Sequence, residues 1–212
     1  IDSWASTELP FRTGDFKVYG TFDPILGNYI AALEETTTQD AYTLIFDEKN
    51  NSFDTFLSFH PEMMATLRTL FVSFKNGQIY THDSPQYNNF YGNQYDSSIT
   101  MVFNASPMVK KTFLALSEIG SDIWETPEMK TDLNSYGTTK MQTNLVSSDF
   151  AQLEGTYEAT ILRDQNSVGG LIEGDSMKGK LMTVKFRSSN ASQLVSLNLV
   201  SLKYINSPLT NT

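Results

Sequence analysis

The sequence predicts an all-β protein, and three observations carry that prediction. Apolar and polar residues alternate within short runs instead of recurring at helical spacing. Hairpin turn signals separate those runs. No stretch supports a helix of three turns, so the chain has no helical layer to pack on a sheet. Composition agrees. Of 212 residues, 12% are aromatic, including 10 Tyr and 14 Phe, types that suit a half-buried pleated surface.

Residues 1–95 read as propeller-type β-hairpins. "FKVYGTFDPILGNYIAAL" (Phe16–Leu33) turns at Asp23-Pro24 through Gly27-Asn28. "YTLIFDEKNNSFDTFLSF" (Tyr42–Phe59) turns on Asp47-Glu48-Lys49-Asn50-Asn51. "LRTLFVSFKNGQIYTHD" (Leu67–Asp83) turns on Lys75-Asn76-Gly77, where Asn-Gly accepts positive φ at both central positions. The turns recur about every 25 residues, and two such hairpins would make one four-stranded propeller blade. Phe53, Phe56 and Phe59 are spaced by three, which suits helix. The segment is short and bounded by turn residues, so strand is the reading. Met63, Met64 and Leu67 admit a helical turn as the weaker alternative.

Residues 96–212 read as a second β-rich unit, a sandwich or a barrel-like closure. Strands are expected in "SITMVFN", "KKTFLALSEIG", "EGTYEATILRD", "KGKLMTVKFRS" and "SQLVSLNLVSLKYI". In the last, alternation sets Leu197 and Val200 on opposite faces. Pro127 breaks the polar segment 121–141, which is expected to be an irregular insertion. Three glycines mark 164–176 as a Gly-rich loop.

Charge and residue types exclude several functions. The formal charge is −9, and Lys110-Lys111 is the longest basic run, so no clustered cations await a duplex. With no cysteine, disulfides, zinc thiolates and cysteine nucleophiles are excluded. The start, Ile1-Asp2-Ser3-Trp4, has no signal-peptide pattern. It suggests a processed product, a truncation, or part of something longer. No window approaches the ~20 apolar residues of a membrane span.

The polar clusters fail as catalytic or metal sites. Asp47 could open a calcium loop, but Lys49 stands where the second ligand belongs. Glu34-Glu35, Asp47-Glu48 and Glu125/Glu128 are carboxylate pairs by type only, and strand neighbours point to opposite faces. His60 and His82 have no metal-ligand spacing, and no G-x-S-x-G elbow is present. "VGGLIEGD" lacks the spacing of a phosphate loop. No cofactor, metal or catalytic residue is expected, and the chain is not expected to be an enzyme. The feature that rises above background is "QYNNFYGNQY" (Gln86–Tyr95). Its Tyr87, Phe90, Tyr91 and Tyr95 form a candidate interface, because Tyr, Asn and Gly combine large contact area with adaptable hydrogen bonding. The alternative is that Phe90 and Tyr91 anchor the loop on its own domain.

"LIFDEKNNSFDTFLSFHPE", "FVSFKNGQIYTHDSPQYNNFYGNQYDSSITMVFN" and "VKKTFLALSEIGSDIWETPE" together resemble the muzzle-type tail structural proteins of crAss-like and related short-tailed bacteriophages. The resemblance covers about residues 14–128. Phe53 stands where that family often has Trp. The resemblance implies a virion protein with a propeller-like region. Its partners would be other tail proteins and copies of itself, with passing contact to phage DNA. The expected role is closing or lining the DNA exit channel. The alternative is a carbohydrate-binding or depolymerising tail protein that recognises the host surface. A host cell-surface adhesin is the weaker third reading.

Overall fold

Short polar turns set the strand order from the start of the chain. The computed structural model describes residues 17–35, 40–134, 139–167 and 174–207. The chain divides into two compact units, 1–95 and 96–212. Both are antiparallel β structure, and the described residues contain no α-helix.

In unit 1, β1 (Val18–Asp23), β2 (Asn28–Leu33), β3 (Tyr42–Asp47) and β4 (Ser52–Leu57) form a four-stranded sheet in sequence order. Asp23 closes the first turn, its Oδ1 accepting from the N–H groups of Ile25 (2.9 Å) and Leu26 (3.2 Å). Asp47 does the same for the second. Its Oδ1 accepts from the Lys49 N–H (2.8 Å), its Oδ2 from Asn50 Nδ2 (2.7 Å), and Asn51 takes φ 50°. This charged knot is an Asx-type turn.

A three-stranded sheet follows: β5 (Met63–Leu67), β6 (Leu70–Lys75) and β7 (Gln78–Thr81). The third turn has Asn76 and Gly77 at φ 52° and 72°, as Asn-Gly predicts. The Met63–Leu67 stretch is strand, paired along its length with β6, so the helical alternative does not hold. β8 (Asn89–Phe90) and β9 (Asn93–Gln94) make a small hairpin inside the aromatic loop. The two larger sheets share one core, in which Ile30 and Ala32 meet Phe59, Met64 and Phe71.

The spacing of three in the Phe series has a physical cause. Ile45 pairs with Thr55 while Phe46 pairs with Phe53, so β4 carries one extra residue as a bulge. A bulge shifts the side-chain phase by one, which places Phe53 and Phe56 on the same face.

In unit 2, one sheet runs in the order β10 (Ser97–Phe103), β17 (Met182–Ser188), β12 (Glu125–Asn134), β13 (Lys140–Leu145). In the other, β11 (Lys111–Gly120) is central. One edge of β11 pairs with β15 (Thr156–Thr160) and β16 (Lys178–Gly179), and β11 also pairs with β18 (Leu197–Asn206). β14 (Ala151–Leu153) extends the sheet beyond β15. Both sheets feed one core, with Phe113 and Leu116 from β11, Met129 from β12, Leu145 from β13, and Val184 and Phe186 from β17. No sheet among the described residues closes on itself, so no barrel forms there.

Two expectations are corrected in this unit. Segment 121–141 is not an irregular insertion across its described residues: Glu125–Asn134 is a ten-residue strand between two partners. Pro127 fits because register shifts against both neighbours, between Glu125 and Glu128 and between Thr126 and Met129, put it in a bulge. In β18, Leu197 and Val200 both pack on the core. A register shift between Ile119 and Gly120 on the partner strand cancels the expected alternation. Of the Gly-rich loop, residues 168–173 lie outside the described residues. Its flanks are joined by the Asp164 N–H donating to the Asp175 carbonyl (2.8 Å).

Candidate interface site

The aromatic loop is built against the inner face of β6 and β7. Alternation along β6 sends Phe71 and Ser73 inward together, and both are buried. His82 follows β7 and stacks on Phe71, with ring centroids 4.2 Å apart and planes at 25°. Ser73 Oγ lies 2.7 Å from His82 Nε2 and 2.8 Å from the Tyr91 hydroxyl. The Ser73 side chain is fully buried, so it joins the other two groups without water.

The electrostatics suit a neutral chain of hydrogen bonds. Burial pushes the His82 imidazole down to about 4, against a weaker upward pull from Asp23. Burial also raises the Tyr91 hydroxyl, partly offset by its hydrogen bond to Ser73. At neutral pH the imidazole is uncharged and can accept, while both hydroxyls keep their protons. A serine sealed from solvent cannot attack a substrate, so the trio does not work as a nucleophile and base.

The four candidate interface residues separate into two roles. Phe90 and Tyr91 are half-buried and pack on the core of unit 1, with the Phe90 ring 4.8 Å and the Tyr91 ring 6.0 Å from Phe59. Tyr91 also stands edge-on to Tyr80 at 4.7 Å. Tyr95 packs on Phe90 at 6.0 Å, and its N–H donates to the Asn88 carbonyl (2.8 Å). Tyr87 is exposed at the rim of a cavity of about 420 Å³ beneath the loop. Asp23, His82 and Asp83 also line this cavity. Burial raises the Asp83 carboxyl, with a further contribution from Asp23.

The other sequence candidates do not converge. His60 Nδ1 lies 3.4 Å from Thr43 Oγ1, and burial lowers its pKa. Glu125 is paired with Arg187 at 2.9 Å, which holds its carboxyl below the usual range, while Glu128 pairs with Lys130 at 2.6 Å. Among the described residues no group of His, Asp and Glu could hold a metal ion. No helix there is long and apolar enough to cross a membrane.

Among the buried charged side chains, Lys111 and Glu118 escaped the sequence reading. Lys111 Nζ donates to the carbonyls of Val109 (3.2 Å) and Lys180 and lies 5.6 Å from the Tyr204 ring centre. Glu118 is fully buried, its Oε1 accepting from the Trp124 N–H at 2.8 Å. Burial pushes its carboxyl up to about 7, partly offset by that hydrogen bond. Glu118 falls in phase with Leu116 on β11, which is the signal that could have exposed it.

Residues 85–164 match the family model of the Crassvirus muzzle protein C-terminal domain. Over that span the chain carries a crassvirus muzzle-type virion domain. It is a component of the phage tail. A comparison with curated proteins matched none. The matched muzzle span takes in the whole aromatic loop, the strand carrying Glu118 and the bulged β12, but not β1–β7.

Proposed function

We propose that this muzzle-type chain is a non-enzymatic element of the tail, and that its assembly closes or lines the DNA exit. The observation that carries the reading is the match of residues 85–164 to a muzzle domain. Two further features support it. The polar groups that converge in unit 1 are spent on each other, which favours holding a loop in place over chemistry. The charge of −9 would keep DNA from adhering to a channel wall.

In this reading the two larger sheets of unit 1 are blade-like. One is a four-stranded meander in sequence order and the next a three-stranded one, the connectivity of consecutive propeller blades. Unit 2 is sandwich-like, since its two sheets share one core. Partners are other tail proteins and copies of the chain itself, with passing contact to DNA. The test is to assemble phage while the protein is depleted. Particles that package DNA but leak it before infection support the reading. Particles that retain their genome and eject it normally overturn it.

A second reading, recognition of host carbohydrate, is favoured by one observation. The cavity of unit 1 places the Asp23 and Asp83 carboxyls in the same lining as the exposed Tyr87, a combination that can hold a sugar ring. Binding of a host-surface glycan that Tyr87→Ala abolishes would support it.

A further inference from the structure

The sheets of unit 2 end in four edge strands, and the chain treats one of them differently from the rest. β13 is covered by the segment that follows β15. Asp164 Oδ1 accepts from the Gln142 N–H (2.9 Å), the Gln165 N–H donates to the Gln142 carbonyl (2.8 Å), and Asn166 Nδ2 donates to the Lys140 carbonyl (2.8 Å). Behind that cover the inward residues Met141, Thr143 and Leu145 are buried. β14 is only three residues long. β18 pairs with β11 in a broken register and carries the exposed Lys203. Covering, shortness, charge and irregularity are the ordinary means of blunting an edge.

β10 has none of them. It pairs one to one with β17 over all seven residues, without a shift. Ser98–Phe103 contains no charge and no proline. Among the described residues the backbone of this stretch bonds to β17 and to no other backbone. Ile99 falls in phase with Met101 and Phe103, which pack on the core. Ile99 is nevertheless 44% exposed, whereas Met141 and Leu145 at the covered edge are 5% and 0%. The core is sealed on the β13 side and open on the β10 side. On that open side lies a cavity of about 230 Å³. Val102 and Phe103, Leu202 and Tyr204 from β18, and Phe113 are among its lining residues. It is smaller than the ~300 Å³ at which small-molecule pockets begin, and suits a single side chain.

An edge strand presents a row of N–H and C=O groups, and the natural complement of that row is another extended backbone. Strand addition draws affinity from main-chain hydrogen bonds and specificity from pockets that take alternate side chains. Both features sit side by side here. We propose that β10 accepts an extended strand from a different tail protein, which continues the sheet beyond β10 and places one apolar side chain in the cavity. The proposal goes beyond the role at the DNA exit and rests only on membership of the tail. Charge favours a different protein over a second copy. Every copy carries −9, and Ser98–Phe103 offers no cation to offset the repulsion between two. The donor is therefore uncharged or basic where it meets β10, with apolar residues at every second position. Area points to the assembled tail as the place of contact. A seven-residue strand is ~24 Å long and covers far less than the ~800 Å² per partner of a stable pair.

The test uses intact particles and the isolated full chain. Val102 is 60% exposed and pairs with Thr183, so the fold tolerates a change there. Particles are grown with the photoreactive p-benzoylphenylalanine in place of Val102, irradiated, and the cross-linked peptides sequenced. The expected product joins β10 to a segment of another tail protein. Cross-links to a second copy of this chain, or none, overturn the proposal. Hydrogen exchange is read in parallel. Amides of Ile99–Phe103 that do not bond to β17 should slow by about 100-fold or more in the particle, while the Gln142 amide, already bonded, changes little. Equal exchange in both states overturns the proposal. Val102→Lys supplies the missing guard charge. It should leave the melting of unit 2 unchanged and lower incorporation into particles by ~10-fold, and unchanged incorporation counts against strand addition. The exit role fails separately. Depleted particles that hold and eject DNA normally would reject that role and leave a β10 cross-link standing, whereas leaky particles without a β10 cross-link would reject strand addition alone.

Discussion

Ser73 has no access to water, and that fixes what its two partners do. Its hydroxyl satisfies His82 on one side and Tyr91 on the other, so it bonds β6 to the aromatic loop at a buried point. Tyr91→Phe removes one arm and leaves Ser73 bonded to His82, a loss of about 1 kcal/mol. Ser73→Ala leaves two half-buried polar groups without their shared partner and should cost more, ~2 kcal/mol. Urea unfolding of the two variants checks the order, and a Ser73→Ala effect smaller than that of Tyr91→Phe would contradict the arrangement. Half of this site was legible in the sequence. Phe90 and Tyr91 stand out by composition, and anchoring on their own domain was one of the two readings. Ser73 was not singled out, because "LFVSFK" reads as an ordinary strand until the inward face is known. A serine in phase with Phe71 on that face was the clue.

Most of the elements were legible, and the errors fall where a strand carries an extra residue. Period-two counting works only while pairing is one to one. The β4 bulge put Phe53 and Phe56 in phase, the β11–β18 irregularity did so for Leu197 and Val200, and the β12 bulge made room for Pro127. Nothing local in a sequence announces a bulge, because partner strands create it. A different constraint acts at Gly179, where β16 passes close to β12. A Cβ there would come within 2.5 Å of Asp132 Oδ1 and 2.9 Å of the Leu181 carbonyl oxygen. That same Asp132 oxygen accepts the N–H groups of Lys180 (2.7 Å) and Leu181 (3.3 Å). Gly179→Ala must displace either the backbone or a carboxylate already in use, so it should destabilise unit 2 by ~1–3 kcal/mol. Thermal unfolding measures this, and an unchanged midpoint would show that the close approach is not real.

At the scale of the whole molecule, each unit holds a strongly shifted titratable group, and the two respond to pH with opposite sign. His82 has a folded pKa of about 4, below its ordinary 6.5. Between those values the unfolded chain binds the extra proton, so the contribution of unit 1 is present above 6.5 and is lost as pH falls towards 4. Glu118 has a folded pKa of about 7, above its ordinary 4.5. There the folded chain holds the extra proton, so the contribution of unit 2 is present below 4.5 and is lost as pH rises through 7. Each unit has its own core, so two unfolding transitions are expected. Lowering the pH from 7 to 5 should move them in opposite directions, unit 1 down and unit 2 up. Differences between each variant and the parent chain are the proper readout, because they isolate the one group removed. Glu118→Gln should flatten the pH response of the unit 2 transition while leaving that of unit 1 unchanged. His82→Gln should do the reverse. Calorimetric scans of the full chain at half-unit pH steps test both together. A single transition, or two that shift together in every variant, would mean that the units do not unfold independently.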